Sequence, residues 1–277
     1  ALIKQIAFDQ YFGFKLLKGE GDFQINNHLL RFKDCRLLTE HSNLDLDLRF
    51  DYSDWDRLGD FLDSVYITAD IRPSEFGMED AAAYAGAIRG MDELIQLEGG
   101  VNGCVNNMTL CDFTCHLGEK SFFAGNFTLK NITDINNVEW NLIFDESNFC
   151  LHDIERFTLP QGKTITLPKI VKRLGDIQLY GSTSGYLPAI STDLDIHTGV
   201  GKLYAGLSSS ENYNNIDIGG SISSSNFNLG KLIQNNDLGI VSFDMDVDAE
   251  SDLRDDNPDY LATTKGSIQS HIKRFDI

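Results

Sequence analysis

The chain has 277 residues, 42% of them hydrophobic, and a formal net charge of −19. Such an acidic surface repels phosphate groups, which disfavours binding to nucleic acid or docking onto anionic membranes. No apolar stretch reaches the length of about 18 residues that a transmembrane helix needs, and the first ten residues do not resemble a signal peptide. Because the chain starts and stops within strand-like patterns, we interpret it as an internal piece of a longer protein.

Segments in which apolar and polar residues alternate predict most of the structure. They occupy residues 44–52, 65–71, 193–197, 216–218 and 243–249. Neighbouring side chains of a strand point to opposite faces, so each segment predicts a strand with one apolar and one charged face. Asn-Asn and Gly-Gly pairs between these segments predict tight turns. We therefore expect a mainly β fold of antiparallel strands.

Helices are predicted to be few and short. Apolar residues at helical spacing favour a helix over residues 79–91. Pro168 can start a second helix over residues 169–174, and residues 229–233 give a single turn. We expect these helices to flank a β stack.

A short phrase built on Ser-x-Phe recurs three times in the chain. It starts at Ser74, at Ser147 and at Ser225, with spacings of 73 and 78 residues. We expect the serine to cap the turn that follows and the phenylalanine to anchor that turn on the sheet. Repetition at this spacing is typical of an extended stack of repeats.

A second pattern recurs between the copies of the phrase. It consists of Gly100, His116, Gly118, Ala124 and Gly125, each of which has the same residue type 81 positions later. The stretches 118–125 and 199–206 then predict equivalent hairpins. We divide the chain into an N-terminal strand segment of a preceding unit (1–64), a first β repeat unit with a short helix (65–150), and a second unit with the start of a third (151–277).

The sequence offers little for catalysis or metal binding. The stretch 181–185 has the glycines of a nucleophile elbow, but Thr183 stands at its centre. Alternate acids at 244–252 favour a solvated strand face over a calcium loop. Cys111 and Cys115 are expected on one face of a strand, about 13 Å apart, too far for a disulfide. We expect free thiols, no metal, no cofactor and no enzymatic activity.

Several phrases resemble the TamB-like and AsmA-like translocation and assembly module family of Bacteroidota. The main one is the stretch 166–181, which contains Leu167-Pro168 and Leu174-Gly175. It is followed by Thr198-Gly199 within 195–203, and by the stretches 226–232 and 236–243. Residues 97–127 resemble the preceding unit of the family. The resemblance covers most of residues 60–250.

The resemblance implies a periplasmic protein whose parent is anchored in the inner membrane by a segment absent here. It further implies a C-terminal domain of the parent that meets a barrel protein of the outer-membrane assembly machinery. Members of the family move phospholipid between membranes and assist outer-membrane biogenesis and protein secretion. Their long sheet folds over into an apolar trough, the β-taco, which holds the acyl chains of phospholipids.

Under this interpretation, the inward side chains of successive strands form a lipid groove. The predicted lining residues are Leu44, Leu46, Leu48, Phe50, Val65, Ile67, Leu142, Phe144, Leu194, Ile196, Phe243, Met245 and Val247. The alternative is a secreted or cell-surface β-solenoid adhesin. It would have a filled interior and functional aromatic residues pointing outwards, such as Trp55, Tyr84 and Trp140.

Overall fold

A computed structural model describes residues 2–9, 15–82, 89–134, 137–212, 215–252 and 265–276. The chain divides into two compact units. Unit 1 comprises residues 1–133 and 152–166, and unit 2 comprises residues 134–151 and 167–277.

Each unit is built around antiparallel strands that pair in the order of the chain. In unit 1 the strands of the main sheet are β1 (Leu2–Asp9), β2 (Lys15–Asn26), β3 (Leu29–Thr39), β4 (Asn43–Asp51), β5 (Tyr66–Gly77), β6 (Leu94–Cys104), β7 (Asn107–Leu117) and β8 (Ser121–Lys130). In unit 2 they are β9 (Glu139–Phe149), β12 (Ile177–Tyr186), β13 (Ala189–Thr198), β14 (Gly201–Asn212), β15 (Asn215–Asn228), β16 (Ile240–Asp252) and β17 (Lys265–Phe275). Unit 1 also holds a small ladder of β10 (Thr158–Leu159) and β11 (Lys163–Thr164).

The helices are short and lie between strands. They are α1 (Phe61–Ser64), α2 (Met78–Ala82), α3 (Leu151–Arg156), α4 (Lys169–Lys172) and α5 (Leu229–Ile233), with 3-10 turns at Trp55–Asp60 and Pro160–Gly162. The predicted fold class is confirmed: mainly β, an open antiparallel stack of repeats with an apolar-lined face and short flanking helices. The helix predicted over residues 229–233 is also confirmed.

Two of the predicted helices end earlier than expected. The helix predicted over 79–91 is described only to Ala82, and Arg89 and Gly90 form a turn in which Gly90 has a φ of 93°. A helix cannot continue through such a backbone, so the predicted end at Met91 is wrong. Residues 83–88 lie outside the described part. Helix α4 ends at Lys172, and Gly175 follows with a φ of 75°.

The Ser-x-Phe phrase marks the same structural position three times. A helix begins four residues after Ser74, Ser147 and Ser225, namely α2, α3 and α5. The expected role of the serine as a helix cap is wrong for Ser74 and Ser147. The Ser74 hydroxyl donates to Arg72 O at 2.7 Å, and the Ser147 hydroxyl donates to Asp145 O at 3.0 Å. Both hydroxyls therefore bind the strand that precedes the helix.

A bulge with the same construction occurs three times in the described parts of the sheets. Asp34, Asp112 and Asn226 have φ values of 49°, 45° and 59° at points where the strand register shifts. A glycine on the preceding strand faces each bulge: Gly21, Gly99 and Gly201. The amide of the bulged residue donates to a side-chain oxygen on the following strand: that of Asp47, Asn126 or Ser242. Such bulges bend a strand and increase its twist.

Candidate functional site

The predicted lining residues of unit 1 that belong to strands, all except Val65, lie on one face of its sheet. Direct cross-strand partners share a face, so the register of the pairs defines rows of side chains. The rows, from β2 towards β8, are Ile25, Leu30, Phe50, Ile67, Gly103, Met108, Leu129; then Phe23, Phe32, Leu48, Ala69, Val101, Leu110, Phe127; and, near the other strand ends, Cys35, Leu46, Ile71 with Leu37, Leu44. We call these rows the apolar face of unit 1.

The predicted lining residues of unit 2 also fall in adjacent rows. From β9 to β17 the rows are Phe144, Gly181, Leu194, Ala205, Ile222, Met245, Ser270; then Leu142, Thr183, Thr192, Leu207, Gly220, Val247, Ile268; and, from β12, Leu179, Ile196, Leu203, Ser224, Phe243, Ile272. None of the residues in these rows is charged. We call them the apolar face of unit 2.

Most of the predicted lining residues keep part of their surface exposed. Leu46 is 7% exposed and Val65 0%, whereas the other eleven are half-buried. Val65 immediately precedes β5 and offers no surface to a ligand, because its side chain is enclosed by protein. Part of the middle row of unit 1 is closed as well, since Ala69, Val101 and Phe127 are buried. The partly exposed side chains of the remaining rows can still cover apolar groups of a ligand.

A polar spot interrupts the apolar face of unit 2. The indole nitrogen of Trp140 donates to Thr183 Oγ1 at 3.3 Å, and that oxygen lies 3.2 Å from Thr192 Oγ1. Trp140 shares a face with Leu142 and is half-buried. It therefore does not point outwards, as the adhesin alternative expected. Trp55 is 45% exposed, and Tyr84 lies outside the described residues.

The opposite face of each sheet carries the charges. In unit 1, Arg72 binds Asp45 at 2.5 Å and Arg36 binds the same carboxylate at 3.2 Å. The hydrogen bond from Arg72 lowers the pKa of Asp45. In unit 2, the predicted acidic strand face is present on β16, where Asp244 pairs with Lys273 at 2.5 Å. The side chain of Asp252 lies outside the described part.

Each helix that follows the Ser-x-Phe phrase sends one side chain into an earlier hairpin turn. Asp80 of α2 accepts from Thr39 Oγ1 at 2.5 Å and from the Ser42 hydroxyl, in the β3–β4 turn. Asp153 of α3 accepts the amides of Glu119, Lys120 and Ser121 at 3.2, 2.8 and 2.8 Å, in the β7–β8 turn. In α5, which follows the third Ser-x-Phe phrase, Lys231 takes this role: its Nζ donates to Gly199 O at 2.9 Å in the β13–β14 turn.

The contacts of Asp153 change its acidity. Burial by itself raises the pKa of this carboxyl, but the hydrogen bonds from the three backbone amides and from the Ser121 side chain together outweigh burial, and the pKa lies below its ordinary value of 3.8. Gly118 permits the contact, because a Cβ at this position would lie 2.7 Å from Asp153 Cγ and the backbone φ is 66°. The carboxylate thus holds a turn and a helix together and is not free for chemistry.

The cysteines are free thiols, as predicted, but the expected common face for Cys111 and Cys115 is wrong. Cys115 pairs with Phe123 on the apolar side, whereas Cys111 pairs with Gly100 on the charged side. The extra residue of the bulge at Asp112 shifts the alternation by one position. Burial raises the pKa of Cys115 to about 11, so this thiol stays protonated.

Two shallow clefts on the charged faces hold the histidines that recur 81 positions apart. His116 lies with Gln96, Glu75 and Glu98 in unit 1. In unit 2, His197 lies with Gln178, Asp195 and Lys202. Among the described residues, no three His, Cys, Asp or Glu side chains come together in a group that could hold a metal ion.

Comparison with known proteins gives no match: no family model, no curated protein and no solved structure is similar to this chain. Within the described ranges, no helix has the length and apolar character needed to cross a membrane.

Proposed function

We propose that the protein binds acyl chains of phospholipids on the apolar faces of its sheets and serves as a segment of a lipid-conducting scaffold. The proposal depends on the uncharged rows that run across consecutive strands of each unit, in which most side chains keep part of their surface exposed. A sheet with a filled interior would bury these side chains.

The energetics of such a site follow from its apolar surface. Each CH₂ group that leaves water contributes about 0.8 kcal/mol, so a face several strands wide can retain an acyl chain. The acidic residues lie on the opposite face, so they do not oppose apolar groups bound to the rows. The resemblance to TamB-like proteins supports a periplasmic location and a parent that bridges two membranes, and both remain part of the proposal.

Lipid extraction provides the first test. The purified protein should carry phospholipid that mass spectrometry identifies in the organic extract. A chain with no extractable lipid that also fails to bind a fluorescent fatty acid would contradict the proposal.

Matched variants locate the site. Leu194→Glu places a charge in a row of the apolar face of unit 2, whereas Ser191→Glu places the same charge on the opposite face of the same strand. Because a buried charge opposes an apolar ligand, we expect Leu194→Glu to weaken fatty acid binding about ten-fold or more and Ser191→Glu to leave it unchanged. Equal effects of the two substitutions would place binding elsewhere.

A further inference from the structure

A ten-residue segment of unit 1 lies against one end of its apolar face. This segment consists of the 3-10 turn Trp55–Asp60 and helix α1, and connects β4 to β5. The ring of Phe61 contacts Phe50, a residue of the apolar face, with centroids 5.6 Å apart. The segment therefore covers the end of the row that contains Phe50 and Ile67.

The segment is fixed at its start, where Trp55 packs on Tyr52 and its indole nitrogen donates to Asn27 Oδ1 at 3.2 Å, and is held more loosely beyond that point. Neither the 3-10 turn nor α1 contains a buried residue. Trp55, Phe61 and Leu62 are 45%, 36% and 44% exposed. Large apolar side chains such as these can cover an apolar face, but the rest of the unit encloses them only in part.

Asn106, in the turn between β6 and β7, fastens the segment. Its amide donates to Leu62 O at 3.0 Å, and its side-chain nitrogen donates to Asp63 Oδ1 at 2.9 Å. The side-chain oxygen of Asn106 accepts from the Thr133 hydroxyl at 2.8 Å. One asparagine thus ties the segment to the turn after β8, and its bonds to Leu62 and Asp63 can break without disturbing the strand ladder.

We propose that the segment 55–64 is a gate over one end of the apolar face of unit 1, with Asn106 as its latch. When the bonds from Asn106 to Leu62 and Asp63 open, Phe61 leaves Phe50 and an acyl chain can reach the row behind it. The inference rests on the proposed function, because it names how access to the same site is controlled. Phe61 and Leu62 then offer the first apolar contacts to the entering chain, while Trp55 stays on Tyr52 as the fixed end of the segment.

Amide exchange tests the gate without any ligand. The variant Asp63→Ala removes one latch bond, and Asp56→Ala is its control, an exposed acid of the same segment. By NMR, we expect the Asn106 amide to exchange faster than that of Val101 within β6. Loss of one hydrogen bond should raise the Asn106 rate about five-fold in Asp63→Ala, with no change in Asp56→Ala. An Asn106 rate equal to that of Val101, or unaffected by Asp63→Ala, overturns the gate.

Stopped-flow uptake of cis-parinaric acid tests its role. We expect Asp63→Ala to raise the association and dissociation rates by about the same factor of five and to leave the Kd unchanged, because the gate closes again over the bound chain and the lost bond then weakens the closed state equally with and without ligand. Unchanged rates alongside normal binding overturn the gate and leave the proposed function standing. Absence of binding in every variant overturns the proposed function, whatever the exchange data show.

Discussion

Removal of the Asp153 carboxylate is the sharpest test of how the repeats are held together. In Asp153→Ala, the amides of Glu119, Lys120 and Ser121 lose their acceptor. Glu119 and Lys120 are exposed, so water can replace the carboxylate there, whereas Ser121 is 3% exposed and water cannot replace the bond that its amide loses. An unsatisfied buried donor costs about 1–3 kcal/mol. With the lost anchor of α3, we expect a loss of about 2–4 kcal/mol.

Thermal and urea unfolding followed by circular dichroism measure this loss, and Asp92→Ala serves as a control at an exposed acid of the same unit. Amide exchange in the β7–β8 turn should also accelerate in Asp153→Ala. A decrease in stability no larger than that of the control would refute the argument, because the three amides would then gain nothing from the carboxylate.

The pH dependence of stability gives an independent check on Asp153. Its pKa in the folded protein is below the ordinary value of 3.8, so its contribution is complete above that value and is lost as the pH falls through the folded pKa. Asp153→Asn cannot titrate, and we expect it to lose less stability than the wild type between about pH 5 and pH 3. Parallel acid unfolding curves for the two proteins would contradict the assigned shift.

Two further predictions concern the bulge at Asp112. Gly99→Ala should destabilise the protein by about 2 kcal/mol or more, because a Cβ there would lie 2.7 Å from Phe113 Cα at a φ of 127°. Its neighbour Gly100 has ordinary contacts of 3.6 Å, so Gly100→Ala should lower the melting temperature much less, and equal effects would argue against the bulge. Cys115, with a pKa of about 11 and 4% exposure, should resist iodoacetamide at pH near 8 until the protein unfolds, whereas the outward Cys111 should be labelled. Mass spectrometry of the alkylated peptides distinguishes the two thiols, and equal labelling would contradict their opposite faces.

The sequence predicted those parts of the fold that depend on local alternation. The stretch 44–52 predicts a strand because each Leu or Phe is followed by a charged residue. The same alternation places Leu44, Leu46, Leu48 and Phe50 together on the apolar face. Helix α5 was predicted as a single turn because Asn235-Asn236 follow it closely, whereas its cap, the side chain of Asn228, is known only from the structure. The alternation of apolar and polar residues was sufficient to predict a strand wherever it continued without interruption.

Long-range contacts were beyond such reasoning. Asp153 and Asn106 look like ordinary loop or helix residues in the sequence, and their partners Ser121 and Asp63 lie 32 and 43 residues away along the chain. The bulges left a weak signal that was overlooked: Gly21 and Gly99 each precede a left-handed aspartate by 13 residues. A regular β7 would place Cys111 on the same face as Cys115, and the bulge at Asp112 moves it to the opposite face.

The bulges also explain how the apolar faces stay continuous across strands of irregular sequence. On β7, Leu110 and Phe113 share the apolar face although they are three residues apart, because Asp112 occupies the bulge. In a regular strand, residues three apart point to opposite faces, so Phe113 would lie among the charges. The side-chain oxygen of Asn126 fixes the bulge from the next strand, which couples the placement of apolar side chains to a polar contact on the opposite face. A ligand on the apolar face would therefore be affected by substitutions at Asn126 or Gly99 that never touch it.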